Sequence, residues 1–233
     1  MEKIFPENAN DIPHNDLKQE SFPIEKKDYI FGILAGLFIG LLALPILKAA
    51  KPSLYDQYAM AIVPLFFILV PFGLLISYYI GKKLKVIWQL AKFVVIGVMN
   101  TLFDLGTLSI LIFVFRDYFH IESKDLFLIG ITFYSIFKGF SFIIANINSY
   151  YWNKYWTFEQ IATKKTGIEF LQFLTVSIIG FIINVVVASY VFKGIPSIVG
   201  LNSDQWGLIG AMAGSVSGLA WNFIGYKFIV FKK

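Results

Sequence analysis

Six long apolar stretches constrain this chain more than any other feature. They lie at about residues 29–47, 59–80, 91–115, 126–150, 168–192 and 206–230. Each is close to the roughly 20 residues that a helix needs to cross the hydrocarbon core of a bilayer. With 57% hydrophobic and only 15% charged residues, the chain has too little charge to solvate a globule of this size. The sequence therefore predicts an all-α integral membrane protein with six transmembrane helices.

The distribution of lysines predicts the orientation of these helices. Lysines are concentrated in the tail, after the second and fourth stretches and at the C-terminus: Lys18, Lys26, Lys27, Lys82, Lys83, Lys85, Lys164, Lys165, Lys232 and Lys233. The alternate loops hold a thinner basic set: Lys48, Lys51, Arg116, Lys124 and Lys193. Because basic residues mark cytoplasmic loops, both termini are predicted to be cytoplasmic in the cell membrane. The net charge of +5 thus indicates topology rather than nucleic-acid binding, and the polar residues 1–28 predict a mobile cytoplasmic tail.

The last four stretches contain an internal duplication. One frame of polar, aromatic and lysine positions occurs twice at the same spacing: Ser149, Tyr150, Lys154, Tyr155 and Phe158, then Asn222, Phe223, Lys227, Phe228 and Phe231. Further upstream, Phe93, Gly97 and Asp104 are matched by Phe173, Ser177 and Asn184. The pattern predicts two parallel helical hairpins, 89–158 and 168–233. Repeats in apolar chains commonly build a transport site at their interface.

Each predicted copy ends in a lysine among aromatic residues, Lys154 in the first and Lys227 in the second. One interpretation is an interfacial aromatic belt in which both ammonium groups reach the headgroups. The other is a pair of anchors for a lipid phosphate that enters from the cytoplasm, because an ammonium is a strong point charge for an anion. The sequence leaves both interpretations open.

Two charges are predicted near the middle of the bilayer. Asp104 and Lys138 each lie twelve residues, or ~18 Å, from the predicted helix limits at Lys92 and Leu126. A lone charge at that depth costs about 2.5–3.5 kcal/mol on insertion scales, so an ion pair between them is expected. The pair could serve only helix register or could take part in transport.

Several asparagines are candidates for the same region. Asn100 shares a helix face with Asp104, and the other candidates are Asn146, Asn153, Asn184 and Asn222. Asparagine also joins membrane helices by hydrogen bonds, which is an alternative role for each of them. Glycines recur every fourth residue at Gly32, Gly36 and Gly40 and again at Gly210, Gly214 and Gly218. Such ridges predict close helix packing.

The chain resembles the GtrA-like family of small four-helix membrane proteins. The resemblance rests on the run 96–102, on the ending 153–158 and on the terminal segment 226–232, and it covers about 89–233. It implies translocation of a polyprenyl-phosphate-linked monosaccharide, such as undecaprenyl-phosphate glucose, across the cell membrane for surface glycan decoration. For such a translocase, the residues themselves suggest that Lys154 and Lys227 bind the phosphate and that Asp104, Lys138 and the asparagines line the path of the sugar, with no cofactor and no metal. Residues 29–88 form an additional two-helix hairpin outside the resemblance, and Ile229 stands where the first copy has Trp156.

Other functional classes remain open. A non-transporting membrane anchor or scaffold for a polyprenyl-phosphate glycosyltransferase is the main alternative, supported by the glycine ridges and the extra hairpin. The partners expected are the lipid-linked sugar, membrane lipid and a membrane-associated glycosyltransferase, with self-association left open and no nucleic acid. An enzyme is disfavoured because the polar segment 116–125 shows no metal-ligand or acid–base spacing, and the chain has no cysteine.

Overall fold

The part of the chain that the structure describes contains six α-helices. The computed structural model describes residues 22–160, 166–197 and 203–232. Its helices are α1 (Lys26–Ala50), α2 (Pro52–Gly81), α3 (Lys85–Phe119), α4 (Phe133–Trp152), α5 (Thr166–Gly194) and α6 (Ser203–Gly225). Most of the predicted tail, and the predicted cytoplasmic residues Lys18, Lys164, Lys165 and Lys233, lie outside the described residues.

Within the described residues, α1, α2, α3 and α5 are long and apolar enough to cross a membrane by length and composition. The chain is therefore a helical membrane protein. The more polar α4 and α6 do not meet the same criterion, so a total of six spans stays a prediction. Helix α1 begins at Lys26, inside the segment 1–28 that the sequence predicted as tail.

The fourth predicted helix begins too early. Residues 126–132 form a small antiparallel hairpin of β1 (Leu126–Leu128) and β2 (Ile131–Thr132) instead of helix. Gly130 turns this hairpin with a φ of +76°, a conformation that glycine adopts without strain. The Thr132 side chain then accepts a hydrogen bond from the Ser135 amide and caps α4. Lys138 therefore lies only five residues, ~8 Å, from the start of its helix rather than ~18 Å.

Glycine ridges bring two helix pairs into close contact. A Cβ at Gly36 of α1 would lie 2.5 Å from the Phe66 carbonyl oxygen of α2, closer than a real Cβ approaches. In the same way, a Cβ at Gly218 of α6 would lie 2.8 Å from the Gly180 carbonyl oxygen of α5. Both ridges therefore work as packing surfaces, as the sequence predicted.

The last four helices form two hairpins, α3–α4 and α5–α6, which pack closely within themselves and touch each other sparsely. Contact between them is concentrated in an aromatic layer made of Phe93, Tyr150, Phe158, Phe173, Phe223, Tyr226 and Phe231. Phe158 stacks on Phe231 at 5.3 Å between ring centroids, and Tyr150 meets Phe173 at 5.5 Å. The hairpins are thus joined at one end, which is called the inner end below.

Candidate functional site

Both lysine-bearing segments at the inner end are π-helical turns. The first covers Asn153–Thr157 and the second Tyr226–Val230. Each is closed by an amide that donates to the carbonyl five residues earlier, Phe158 to Asn153 at 2.9 Å and Phe231 to Tyr226 at 2.8 Å. The turns occupy matching positions of the duplicated frame, and such turns are frequent at functional sites. The duplication of whole hairpins stays a prediction.

A cavity of about 280 Å³ with polar and aromatic residues in its wall lies between the two hairpins. All five predicted asparagines line it, together with serine and tyrosine hydroxyls: Asn100, Asn146, Asn153, Asn184, Asn222, Ser149, Ser177, Ser215 and Tyr226. No charged side chain is among its lining residues. This cavity, called the amide cavity below, brings residues from α3, α4, α5 and α6 to one place.

Three of the amides that line the cavity carry a side-chain oxygen without a hydrogen-bond partner. Within the described residues, the Oδ1 atoms of Asn100, Asn153 and Asn222 are buried and accept no hydrogen bond. The Asn153 amide nitrogen is engaged, since it donates to the Ser149 carbonyl at 2.9 Å. An unsatisfied buried acceptor costs about 1–3 kcal/mol, so these oxygens would gain from hydroxyl donors that reach them when the cavity walls separate.

Glycines shape the walls of the amide cavity. Gly180 leaves the space that the Asn222 side chain fills, because a Cβ there would clash with the amide group. At Gly97, by contrast, no other side chain fills the space, since a Cβ built on it would have no neighbouring atom within 4 Å. The Gly97 position therefore opens directly onto free space at the cavity wall.

The predicted ion pair between Asp104 and Lys138 is formed. The Lys138 ammonium donates to Asp104 Oδ2, and the Ser141 hydroxyl donates to Asp104 Oδ1 at 2.5 Å. Asp104 lies one helical turn beyond Asn100 on α3, so the pair stands at the end of the amide cavity away from the aromatic layer. The pair stays partly accessible, because 40% of the Lys138 side chain is exposed.

Lys154 does not extend to the surface. Its ammonium lies 2.8 Å from the Glu169 carboxylate and donates to the Tyr150 hydroxyl at 3.1 Å. The same hydroxyl donates to Glu169 at 2.5 Å. Only 6% of Glu169 is exposed, so this is a buried pair that links the first π-helical turn to α5. The sequence analysis missed Glu169, although a lone acid at the start of an apolar helix is a recognisable signal.

Lys227 has a different environment. Its ammonium lies over the Phe223 ring at 5.8 Å and the Phe228 ring at 5.7 Å. In the part of the chain that the structure describes, no acidic side chain forms an ion pair with it. Of the two candidate anchors, Lys227 is therefore the one whose charge is not balanced by a carboxylate.

A second charged cluster joins the additional hairpin to the core. Lys92, which is fully buried, lies 2.5 Å from Asp28 Oδ1 of α1, and the Trp156 indole donates to the same oxygen at 3.1 Å. Glu159 contacts Lys85, Lys92 and Lys27 at 3.0, 3.6 and 3.8 Å. Burial opposes ionisation of Glu159, but the three ammonium groups outweigh it and hold its pKa below the usual range.

The sequence profile of the GtrA/DPMS transmembrane domain matches residues 92–231, which is more than half of the chain. The chain belongs to this family. The matched range contains the amide cavity, the Asp104–Lys138 pair and both π-helical turns, whereas α1 and α2 precede it. No curated protein and no solved structure matches the chain. The candidate site therefore lies within the GtrA/DPMS transmembrane domain.

Proposed function

We propose that the protein moves a polyprenyl-phosphate-linked monosaccharide across the cell membrane for surface glycan decoration. Membership of the GtrA/DPMS family supports this class of function. The observation that carries the proposal is the amide cavity, whose unpaired acceptor oxygens lie between two sparsely connected hairpins. Sugar hydroxyls both donate and accept, so they satisfy the free amide oxygens that the protein itself leaves unpaired.

The lipid part of the substrate has a route that avoids the cavity. Phe181 lines the amide cavity, and 65% of its surface is exposed on the outside of α5. The cavity therefore has a side that faces lipid. The prenyl chain stays in the bilayer there while only the sugar and phosphate enter the protein.

Each of three lysines has a different role in binding the phosphate. Lys227 captures it at the inner end, because no carboxylate among the described residues balances its charge there. Lys138 receives it at the other end of the cavity by leaving Asp104. Lys154 holds the inner end closed through Glu169 and contacts the phosphate only when the hairpins separate. Since the hairpins meet mainly at the aromatic layer, a rocking movement there would open the inner end.

The test replaces one cavity amide by an apolar residue of the same size. Asn100→Leu removes an unpaired buried acceptor, so thermal stability should stay equal or rise. Transport of a fluorescent prenyl-phosphate hexose in reconstituted vesicles should fall by about tenfold or more, because sugar contacts are lost. Bleaching of the outer-leaflet label by dithionite reports the transport rate.

Asn148→Leu is the matched control. Asn148 also carries a buried unpaired amide atom on α4 but does not line the cavity, so its variant should transport normally. Normal transport by Asn100→Leu would refute the proposal. It would favour the scaffold alternative, in which the cavity residues only pack.

A further inference from the structure

A second cavity lies at the inner end, outside the amide cavity. It measures about 270 Å³ and is lined by Gln89, Phe158, Lys227, Phe228, Phe231 and Lys232. This cavity, called the inner pocket below, brings the start of α3 beside the second π-helical turn. Its lining contains two basic groups and no acidic residue.

The aromatic layer separates the inner pocket from the amide cavity. Phe158 and Phe231 form one wall of the inner pocket and belong to that layer. On α3, Gln89 lies in the inner pocket, Phe93 four residues later in the layer, and Asn100 in the amide cavity. A headgroup held in the inner pocket therefore cannot at the same time place a sugar among the amides.

Within the described residues, the polar side chains of the inner pocket form neither hydrogen bonds nor ion pairs. Gln89 is only 9% exposed, and in the described residues its side-chain amide makes no hydrogen bond. Lys227 and Lys232 are without ion pairs to acidic side chains in the same part of the chain. Two positive charges and a buried amide donor together make a site for a doubly charged anion.

We propose that the inner pocket binds the phosphate monoester of the sugar-free polyprenyl carrier. A sugar-linked carrier is a phosphodiester with one negative charge, whereas a monoester carries about 1.5–2 negative charges at pH 7 because its second pKa is near 6. The charge of the inner pocket matches the monoester. The aromatic layer also fits this assignment, since a monoester has no sugar that must reach the amide cavity.

The lining also favours a lipid over free phosphate. Phe228, 63% exposed, forms the outer wall of the inner pocket, and Ile224 extends the same exposed row one turn further along α6. A prenyl chain attached to the phosphate can lie along this apolar row. The protein would then also return the emptied carrier after the sugar has been used. This inference rests on the proposed function for its carrier, but binding in the inner pocket is measured separately from sugar transport.

The experiment measures binding of farnesyl phosphate to the full-length protein in nanodiscs. At pH 7.5, farnesyl phosphate should bind about tenfold more tightly than its methyl phosphodiester, because the diester forgoes one charge-assisted contact. The advantage should shrink at pH 5.5, where the monoester has lost most of its second charge. Inorganic phosphate should compete far more weakly than farnesyl phosphate, because it lacks the chain.

Lys227→Gln and Gln89→Leu should each weaken binding of farnesyl phosphate, whereas Lys227→Arg should retain most of it. Asn100→Leu should leave it unchanged, so a failure of the transport proposal shows in the transport assay alone. Melting temperatures of all variants identify any that fail to fold. Equal affinity for monoester and diester, equal competition by inorganic phosphate, or full binding by folded Lys227→Gln would each overturn the inference.

Discussion

The two π-helical turns have the same backbone but opposite surroundings. In the first, Lys154 is balanced by Glu169 and Trp156 is completely buried against α1. In the second, Lys227 lies between two phenylalanine rings, and 53% of Ile229, the residue that matches Trp156, is exposed.

The residues that follow the turns reverse in charge. Glu159 directly follows the first copy and forms ion pairs with three lysines, while Lys232 occupies the matching place in the second and lines the inner pocket. The repeated sequence frame thus has different surroundings at its two occurrences, one balanced by a carboxylate and one not. Under the proposed function, the first turn would be the fixed half of the protein and the second the half that binds the headgroup.

We expect the largest loss of stability and transport from a change at Asp104, where the two hairpins differ in charge. Asp104 of the first hairpin is matched by Asn184 in the second, so Asp104→Asn makes the two alike but leaves Lys138 unpaired. Breaking a buried pair from one side typically costs about 3–5 kcal/mol, with a lower value expected here because Lys138 is partly exposed. The double variant Asp104→Asn with Lys138→Met should recover the melting temperature yet transport no lipid-linked sugar. Normal transport by the double variant would make the pair purely structural.

Replacing each of the two candidate anchors by alanine should have different effects on stability. Lys154→Ala leaves the buried Glu169 carboxylate unpaired and should destabilise the protein by about 3 kcal/mol or more. Lys227→Ala should change stability by only about 0.5 kcal/mol, because no carboxylate depends on it, while transport falls. Thermal melting beside the vesicle assay separates the two effects. Equal melting temperatures for both variants would show that the copies do not differ as described.

A double variant that removes both charges of the Lys154–Glu169 pair is the control for this comparison. Lys154→Met combined with Glu169→Gln removes both charges and should recover most of the stability lost in Lys154→Ala. If the double variant melts as low as the single one, the loss comes from packing around the π-helical turn and not from the unpaired carboxylate.

Local sequence patterns predicted those parts of the site that depend on one helix face. Asn100 and Asp104 lie four residues apart, and helical periodicity alone puts them on one side of α3. The cost of a charge in lipid predicted the partner of Asp104, and the ion pair is confirmed. Recognition of the family is confirmed as well, over residues 92–231. The substrate-binding roles of these residues stay predictions.

The remaining features depend on contacts between distant segments. Asp28 and Trp156 are 128 residues apart in the sequence but are joined by a hydrogen bond, and no periodicity within α1 or the first π-helical turn indicates that contact. Glu169 pairs with Lys154 only because α5 packs beside the first π-helical turn. The start of α4 was predicted wrongly because residues 126–132 are as apolar as a helix, and only Gly130 marks the turn. Hydrophobicity alone does not distinguish a short apolar hairpin from the first turns of a membrane helix.

The variants Trp156→Ile and Ile229→Trp test which contacts stabilise the first π-helical turn. Trp156→Ile removes the ring that stacks on Phe31 at 5.7 Å and the indole that donates to Asp28. Loss of a buried aromatic ring should lower stability by about 2–3 kcal/mol, less than full truncation to alanine. Ile229→Trp places an aromatic ring on an exposed position and should leave the melting temperature unchanged. A strong loss from Ile229→Trp would mean that the second turn is covered as well.

We expect the smallest change in melting temperature from a substitution of Glu159, whose place in the second copy is taken by Lys232. Because three lysines hold the pKa of Glu159 below its usual 4.5, its ionised form stabilises the folded protein at pH values above the unfolded pKa. That contribution is lost as the pH falls through the lower folded pKa. Glu159→Gln should therefore melt below the wild type at pH 7, and the gap should close progressively below about pH 4.5. Melting curves of both proteins from pH 7 to pH 3 measure the gap, with Glu122→Gln in the exposed loop after α3 as the control that should show none. A gap that stays constant across this range would mean that Glu159 stabilises the protein by packing and not by its charge. The charge difference between Glu159 and Lys232 would then contribute nothing to stability.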